Sequence, residues 1–272
     1  MIRLSRPSLR ASGIASAAVA GLAFAATPVT APAATAVVAH PTAQVAGPMV
    51  PDSTTVHSRV NAADTTVSSE TWFGYAADSG SYTSVESTWV EPAVDCSKGA
   101  GEATFWVGLD GASNEAVEQT GTEANCSLSG QASYSAWWET FPTNTIQTYA
   151  NTVEPGDTLT AKVTFEGNDK YDLYLTDTTQ GWTEDNLEQG GSGAANSSAE
   201  VVGETPDIIP GYIFFNLPDF GTVNFTNSQV DGQPIGDSNP VTINLVRGGG
   251  TMATTGSLSN GTDFTETWDA NA

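Results

Sequence analysis

Nine segments of this chain alternate apolar and polar residues with a period of two, and clusters of Gly, Asn, Asp and Pro stand between them. They run over residues 82–90, 104–109, 132–140, 159–166, 171–177, 212–216, 222–226, 241–246 and 264–268. A period of two puts every second side chain on one face of a pleated strand, and turn-forming residues at this spacing break the chain into short strands. No stretch carries the 3.6-residue periodicity of a long amphipathic helix. Strands of this number and length bury their apolar faces best as two sheets packed face to face, so the chain is expected to form an all-β antiparallel sandwich.

The strands occupy only part of the chain. Arg3, Arg6 and Arg10 precede an apolar run of small residues that ends near Ala23 and Ala25, the pattern of a cleavable export signal over residues 1–26. Residues 27–65 are Ala, Thr, Val and Pro without periodicity, which reads as a pro-segment or a plain disordered linker. Residues 66–272 are expected to form one β-sandwich domain, secreted and monomeric, with no membrane anchor.

Charge restricts what such a domain can bind. Of 31 acidic residues only Asp52 and Asp64 precede Thr66, while Lys98, Lys162, Lys170 and Arg247 are the only bases that follow it. Nucleic acid and anionic membranes are therefore excluded as partners by repulsion. The same repulsion fades as carboxyls protonate, which suggests an acidic working environment. His40 and His57 are the only histidines, and both lie ahead of the domain. Imidazole-based triads are excluded with them, and any acid/base chemistry falls to carboxyls. Cys96 and Cys126 are the only cysteines, a pair that suits one disulfide in an exported chain better than a metal site. No metal and no cofactor is expected.

Several carboxylate chemistries can be weighed. Asp78-Ser79-Gly80 has the turn composition of aspartic peptidases, but no second copy exists to share a proton. No compact Glu-x-Asp-x-x-Glu strand of a sandwich glucanase is present, and no Ser-x-x-Lys surrounds a lysine. In Trp106-Val107-Gly108-Leu109-Asp110 an aromatic, a gap and a carboxyl share one strand face, and Trp137 and Glu139 share another. The alternative for Trp137 and Trp138 is that one packs in the core while the other covers the opposite face. The polar run from Glu188 to Ser198 reads as a flexible loop, either a lid over a cleft or an ordinary connection.

Five segments in order carry a more specific signal. They are Trp106 to Gly111, Glu118-Gln119-Thr120-Gly121, Ala136-Trp137-Trp138-Glu139, Ala199 to Pro206, and Phe220 to Asn227. Together they resemble the glutamic peptidases of the G1 group, the eqolisins. The resemblance implies a concanavalin A-like, jelly-roll sandwich of two seven-stranded antiparallel sheets, with a catalytic dyad on its concave face. It places the family's glutamine on Gln119, its glutamate on Glu200 and the second acid on Glu204. Trp106, Asp110, Trp137 and Glu139 match residues that line the family's substrate cleft, and polypeptides become the expected substrates. Val201 stands where many members have Trp, and Glu123 replaces a common Asp. Such a dyad would let Glu200 take a proton from an attacking water while Gln119 donates to the oxyanion. Acid proteolysis of this kind is pepstatin-insensitive in expectation. The alternatives are a carbohydrate-binding or glycoside-hydrolysing sandwich using Glu139 and Glu200, with sugars stacked on Trp106 and Trp137, and an inactive binding protein.

Overall fold

A computed structural model describes residues 66–209 and 213–269. The expected export signal and pro-segment lie outside the described residues. In chain order the strands are β1 (Thr66–Ser69), β2 (Trp72–Ala77), β3 (Ser84–Val90), β4 (Gly101–Asp110), β5 (Val117–Cys126), β6 (Ala132–Phe141), β7 (Asn144–Thr148), β8 (Thr158–Gly167) and β9 (Lys170–Asp177). They continue with β10 (Trp182–Gln189), β11 (Ala199–Glu204), β12 (Asp207–Ile209), β13 (Ile213–Phe214), β14 (Thr222–Val230), β15 (Gln233–Pro234), β16 (Val241–Arg247), β17 (Gly250–Thr255) and β18 (Phe264–Trp268).

The hydrogen-bonded path is β10-β9-β8-β3-β14-β18-β17-β16-β2-β11-β4-β5-β6-β7. Its halves fold onto one another, with β4 and β5 against β8 and β9, β11 against β3, and β2 against β17. The result is the expected sandwich, seven strands in each layer. The two layers are one continuous hydrogen-bonded path, joined where β16 pairs with β17. All neighbours along that path are antiparallel, and β1 adds a short parallel pairing to β16.

Alternation explains the core. One face of β4 sends Phe105, Val107 and Leu109 between the layers to meet Leu159, Ala161 and Val163 of β8, Leu173 and Leu175 of β9, and Phe225 of β14. Phe225 stacks on Phe264 with ring centres 5.1 Å apart, and Phe220 stacks on Phe73 at 5.5 Å. Each fully buried side chain of this size contributes roughly 1.5–3 kcal/mol. The other face of the same layer carries a second cluster built from Trp72, Ala76, Trp106, Val117, Trp137, Val202 and Ile243. All ten positions of β4 are consequently buried, which an antiparallel strand with one wet face would not show.

The period-two segments correspond to β3, β4, β6, β8, β9, β13, β14, β16 and β18, with ends shifted by a few residues. Strands β2, β5, β11 and β17 went unread in the sequence because Gly or polar residues on a buried face break their alternation, and β10 because its mostly polar residues include no buried position. The Glu188–Ser198 run is not a free loop. Glu188 and Gln189 complete β10, and residues 190–198 are held by a series of hydrogen bonds set out below.

Cys96 and Cys126 form the expected disulfide, with Cα atoms 5.2 Å apart. It ties the short 3-10 turn Cys96–Lys98 to the end of β5, where Cys126 pairs with Gly101. Closing a loop across a separation of 30 residues restricts the unfolded chain by about 3–4 kcal/mol. Reduction is expected to lower the melting temperature by about 10 °C, while the folded fraction keeps its turnover. A scanning calorimetry trace unchanged by reductant would contradict this.

Candidate active site

The inner layer aligns its residues in rows across the strands. Ala76, Glu200, Gly108, Gln119 and Glu139 are in register on β2, β11, β4, β5 and β6. The next row, two residues along each strand, is Gly74, Val202, Trp106, Gly121 and Trp137. The third is Trp72, Glu204, Thr104, Glu123 and Ser135. A step of two keeps all three rows on one face, the face turned away from the core between the layers. Gln119, Glu139, Glu200, Trp106 and Trp137, five of the residues singled out in the sequence, therefore meet on one surface.

Gly108 stands between the two residues matched to a catalytic dyad. Glu200 and Gln119 each pair with it from opposite sides, which sets their Cα atoms ~10 Å apart at two strand spacings. A Cβ on Gly108 would lie 2.8 Å from the Trp106 ring and 3.2 Å from the Gln119 Cβ. Glycine leaves bare backbone between an amide and a carboxyl, and Trp106 closes over one side of it. This is the gap expected between Trp106 and Asp110.

Neighbouring groups hold the polar side chains in place. Gln119 Nε2 donates to Glu139 Oε2 at 2.8 Å, which fixes the amide plane from the β6 side. Trp106 Nε1 donates to Glu204 Oε2 at 3.0 Å, and the Trp106 ring meets Trp72 edge to face at 5.1 Å. Trp137 lies on this face while Trp138 packs against the core between the layers, as the alternative reading of the pair has it.

Glu200 differs from its neighbours. It is fully buried, and neither of its oxygens makes a hydrogen bond. Burial pushes its carboxyl well above the ordinary glutamate range, and the negative charges of Asp110 and Glu118 add to the rise. The Ser198 hydroxyl, more than either of those charges, and the Ala112 amide oppose the rise by favouring the ionised form. A buried carboxyl so placed is poised to exchange a proton.

The Asp110 carboxylate is filled by hydrogen bonds from its own chain. Its Oδ1 accepts from Asn114 Nδ2, the Ser197 amide and the Ser197 hydroxyl at 2.7–3.0 Å, and its Oδ2 accepts from the Ala195 and Asn196 amides, both at 2.8 Å. Five donors fill the acceptor capacity of a carboxylate, which has about four lone-pair sites. Asp110 takes a left-handed backbone (φ 68°) at the end of β4, and its amide donates to Ser198 O at 3.0 Å. It therefore anchors the segment that runs into Glu200. The sequence missed this because four of the five donors lie 85–87 residues away and three of those are backbone amides.

On the same face, further from Gly108, Asn125 Nδ2 bridges Glu102 Oε1 (2.9 Å) and Glu123 Oε1 (3.2 Å). Burial raises both carboxyls, Glu102 to about 8 and Glu123 to about 7. Among the described residues no group of three or more His, Cys, Asp or Glu could hold a metal ion, and no helix is long and apolar enough to cross a membrane.

Comparison with known proteins identifies relatives of this arrangement. The sequence model of the Peptidase A4 family matches residues 70–268. Aspergillopepsin-2 of Aspergillus niger is 30% identical over 165 residues, which is 56% of this chain and 55% of that protein. The match thus spans about half the length of this curated relative. Among solved structures, scytalido-glutamic peptidase with a transition-state analogue inhibitor superposes with a TM-score of 0.65 at 21% identity, over 74% of this chain and 98% of that one. Aspergilloglutamic peptidase from Aspergillus niger superposes with a TM-score of 0.52 at 27% identity, over 62% and 99%.

Proposed function

The chain belongs to the peptidase A4 family, the G1 glutamic peptidases or eqolisins, and from that premise we propose that it is a secreted acid endopeptidase whose dyad is Gln119 and Glu200. One observation carries the reading: an amide held in orientation by Glu139 and a fully buried carboxyl flank the bare backbone of Gly108 on one face.

In this reading a peptide lies across Gly108. Glu200 takes a proton from water as the water oxygen attacks the carbonyl carbon, and the carbonyl electrons move onto its oxygen. The Gln119 amide donates an N–H to that oxyanion. When the tetrahedral centre collapses, the C–N bond breaks and Glu200 returns the proton to the leaving nitrogen, which restores the carboxylate. An amide keeps its donor at any pH, so only the glutamate must be correctly ionised. Trp106 and Trp137 wall the row next to the dyad and would hold apolar substrate side chains. Glu139 acts through Gln119.

The carbohydrate alternative gains nothing from the geometry. Glu139 and Glu200 are three strands apart in their row, and Trp106 is packed edge-on against Trp72 with its N–H on Glu204.

Incubation with denatured casein at pH 3–4 tests the reading, with cleavage expected whether or not pepstatin is present. A protein that leaves casein intact across the acid range is not this enzyme. Gln119→Ala is expected to lower kcat about 10²–10³-fold, the usual cost of one oxyanion donor. Near-UV circular dichroism should be unchanged, and a kcat near wild type would remove Gln119 from the mechanism.

A further inference from the structure

Glu118 is the residue before Gln119 on β5, and strand alternation turns it to the opposite face, between the layers. It is fully buried there. Its Oε1 accepts the Gly191 amide at 2.7 Å, and its Oε2 has no hydrogen-bond partner. The chain leaving β10 passes it through a narrow slot. A Cβ on Gly191 would lie 1.9 Å from the Phe141 carbonyl oxygen and 3.1 Å from Glu118 Oε1, and one on Gly190 would lie 2.5 Å from the Tyr171 ring. Only glycine fits at these two positions, so the backbone of this segment is held against β5 and β6 at its start. Its far end is held by Asp110 through residues 195–197, and Glu200 follows directly on β11.

Glu118 thus joins the two halves of the site. Its backbone is continuous with Gln119, and its side chain grips the segment that leads to Glu200. We propose that Glu118 is a positioning residue of the dyad, which sets Glu200 relative to Gln119 by pinning Gly191 to the strand that carries the glutamine. The inference rests on the dyad reading. Burial holds the Glu118 carboxyl up to about 8, so in acid it is neutral and accepts through its carbonyl oxygen, a bond that an amide of the same shape also makes.

The test compares E118L, which removes the acceptor at similar size, with E118Q, which keeps it. E118L is expected to lower kcat about 10–100-fold, because a misplacement of about 1 Å costs this much. KM should stay within about threefold, and the near-UV spectrum should be native. E118Q should restore kcat to within about threefold of wild type. A folded E118L with wild-type kcat overturns the proposal, and so does an E118Q as impaired as E118L. Hydrogen exchange on the unmutated protein gives a result that does not depend on any variant folding. The Gly191 amide should exchange as slowly as the β5–β6 ladder amides, and fast exchange there overturns the clamp. A wild-type protein without peptidase activity would instead refute the dyad reading, and the exchange result would stand apart from it.

Discussion

Glu200→Gln is expected to abolish turnover and leave the fold intact. Proton transfer by a positioned side chain supplies about 10²–10⁴-fold in rate, and Glu200 is assigned both the base step and the acid step. The loss should therefore fall at the upper end of that range, with KM far less affected. The shape change is small: a carboxyl whose two oxygens make no hydrogen bond is replaced by an amide in the same volume. Because Glu200 in the folded chain resists ionisation, the neutral amide should also make the variant more resistant to neutral pH than the wild type. An inactive protein more stable than its parent is the signature of a strained functional group. Residual activity near wild type on a fluorogenic peptide would refute the assignment, and an unfolded variant would show that Glu200 is structural.

The same burial sets the form of the rate profile. With its carboxyl held above the ordinary range, Glu200 is mostly protonated in acid, and the base step draws on the ionised minority. Each step of one pH unit towards its titration point multiplies that minority about tenfold, so kcat/KM should climb with pH on the acid side. A profile that falls over that range would mean that the protonated form acts first, as an acid on the carbonyl oxygen.

How far this was legible in the residues depends on where the information lies. Strands such as β8 and β9, with one apolar face and one wet face, announce themselves by alternation. Strands β5 and β11, which carry Gln119 and Glu200, do not. In β5 the face between the layers holds Glu118, Thr120 and Thr122, so the apolar period disappears although the strand is almost wholly buried. The two residues proposed as a dyad could nonetheless be singled out, because Gln-Thr-Gly and Ala-Glu are local motifs and survive the loss of periodicity. The 190–198 segment was misread for the opposite reason. Its Gly, Ser and Asn composition is that of a mobile loop, but Asp110 and Glu118, far away in sequence, supply acceptors for its amides. Composition reports what a segment can do alone, and this segment is never alone. Nor could the sequence separate the 29 acids of residues 66–272, since their differences arise from burial.

That burial leads to the second large expected effect, a fold that weakens as pH rises towards neutrality. Burial lifts Glu91 and Glu123 to about 7 and Glu102 and Glu118 to about 8. Burial also raises Glu200 and Glu266 well above the ordinary glutamate range. Glu266 lies between the layers, with Oε1 accepting the Gly203 amide at 3.1 Å and Oε2 without a partner. It fits only because Gly203 faces it and Gly74, whose φ of 137° takes its missing Cβ out of the strand alternation, lies beside it; a Cβ would come within 2.7 and 2.9 Å of its oxygens at these two positions. For each of these groups the folded chain holds a proton that the unfolded chain, near the ordinary value of 4.5, has already released. Between 4.5 and the raised value the folded state binds more protons, so stability falls as pH rises. The stabilisation is complete below about 4.5 and is lost progressively through about 8. Raising one carboxyl from 4.5 to about 7, as for Glu91, corresponds to about 3 kcal/mol. Two or three such groups, which need not add fully, rival the 5–15 kcal/mol that holds an ordinary domain together. Repulsion among the exposed carboxylates has the same sign, and the Lys162–Glu86 pair at 3.9 Å on the surface offsets little of it. The melting temperature should therefore peak near pH 4 and fall by at least ~10 °C by pH 7.5. Glu266→Gln, which keeps an acceptor for the Gly203 amide without a charge to bury, should move the loss to higher pH. A melting temperature that is flat or rising from pH 4 to 7.5 would show that these carboxyls ionise freely in the folded chain.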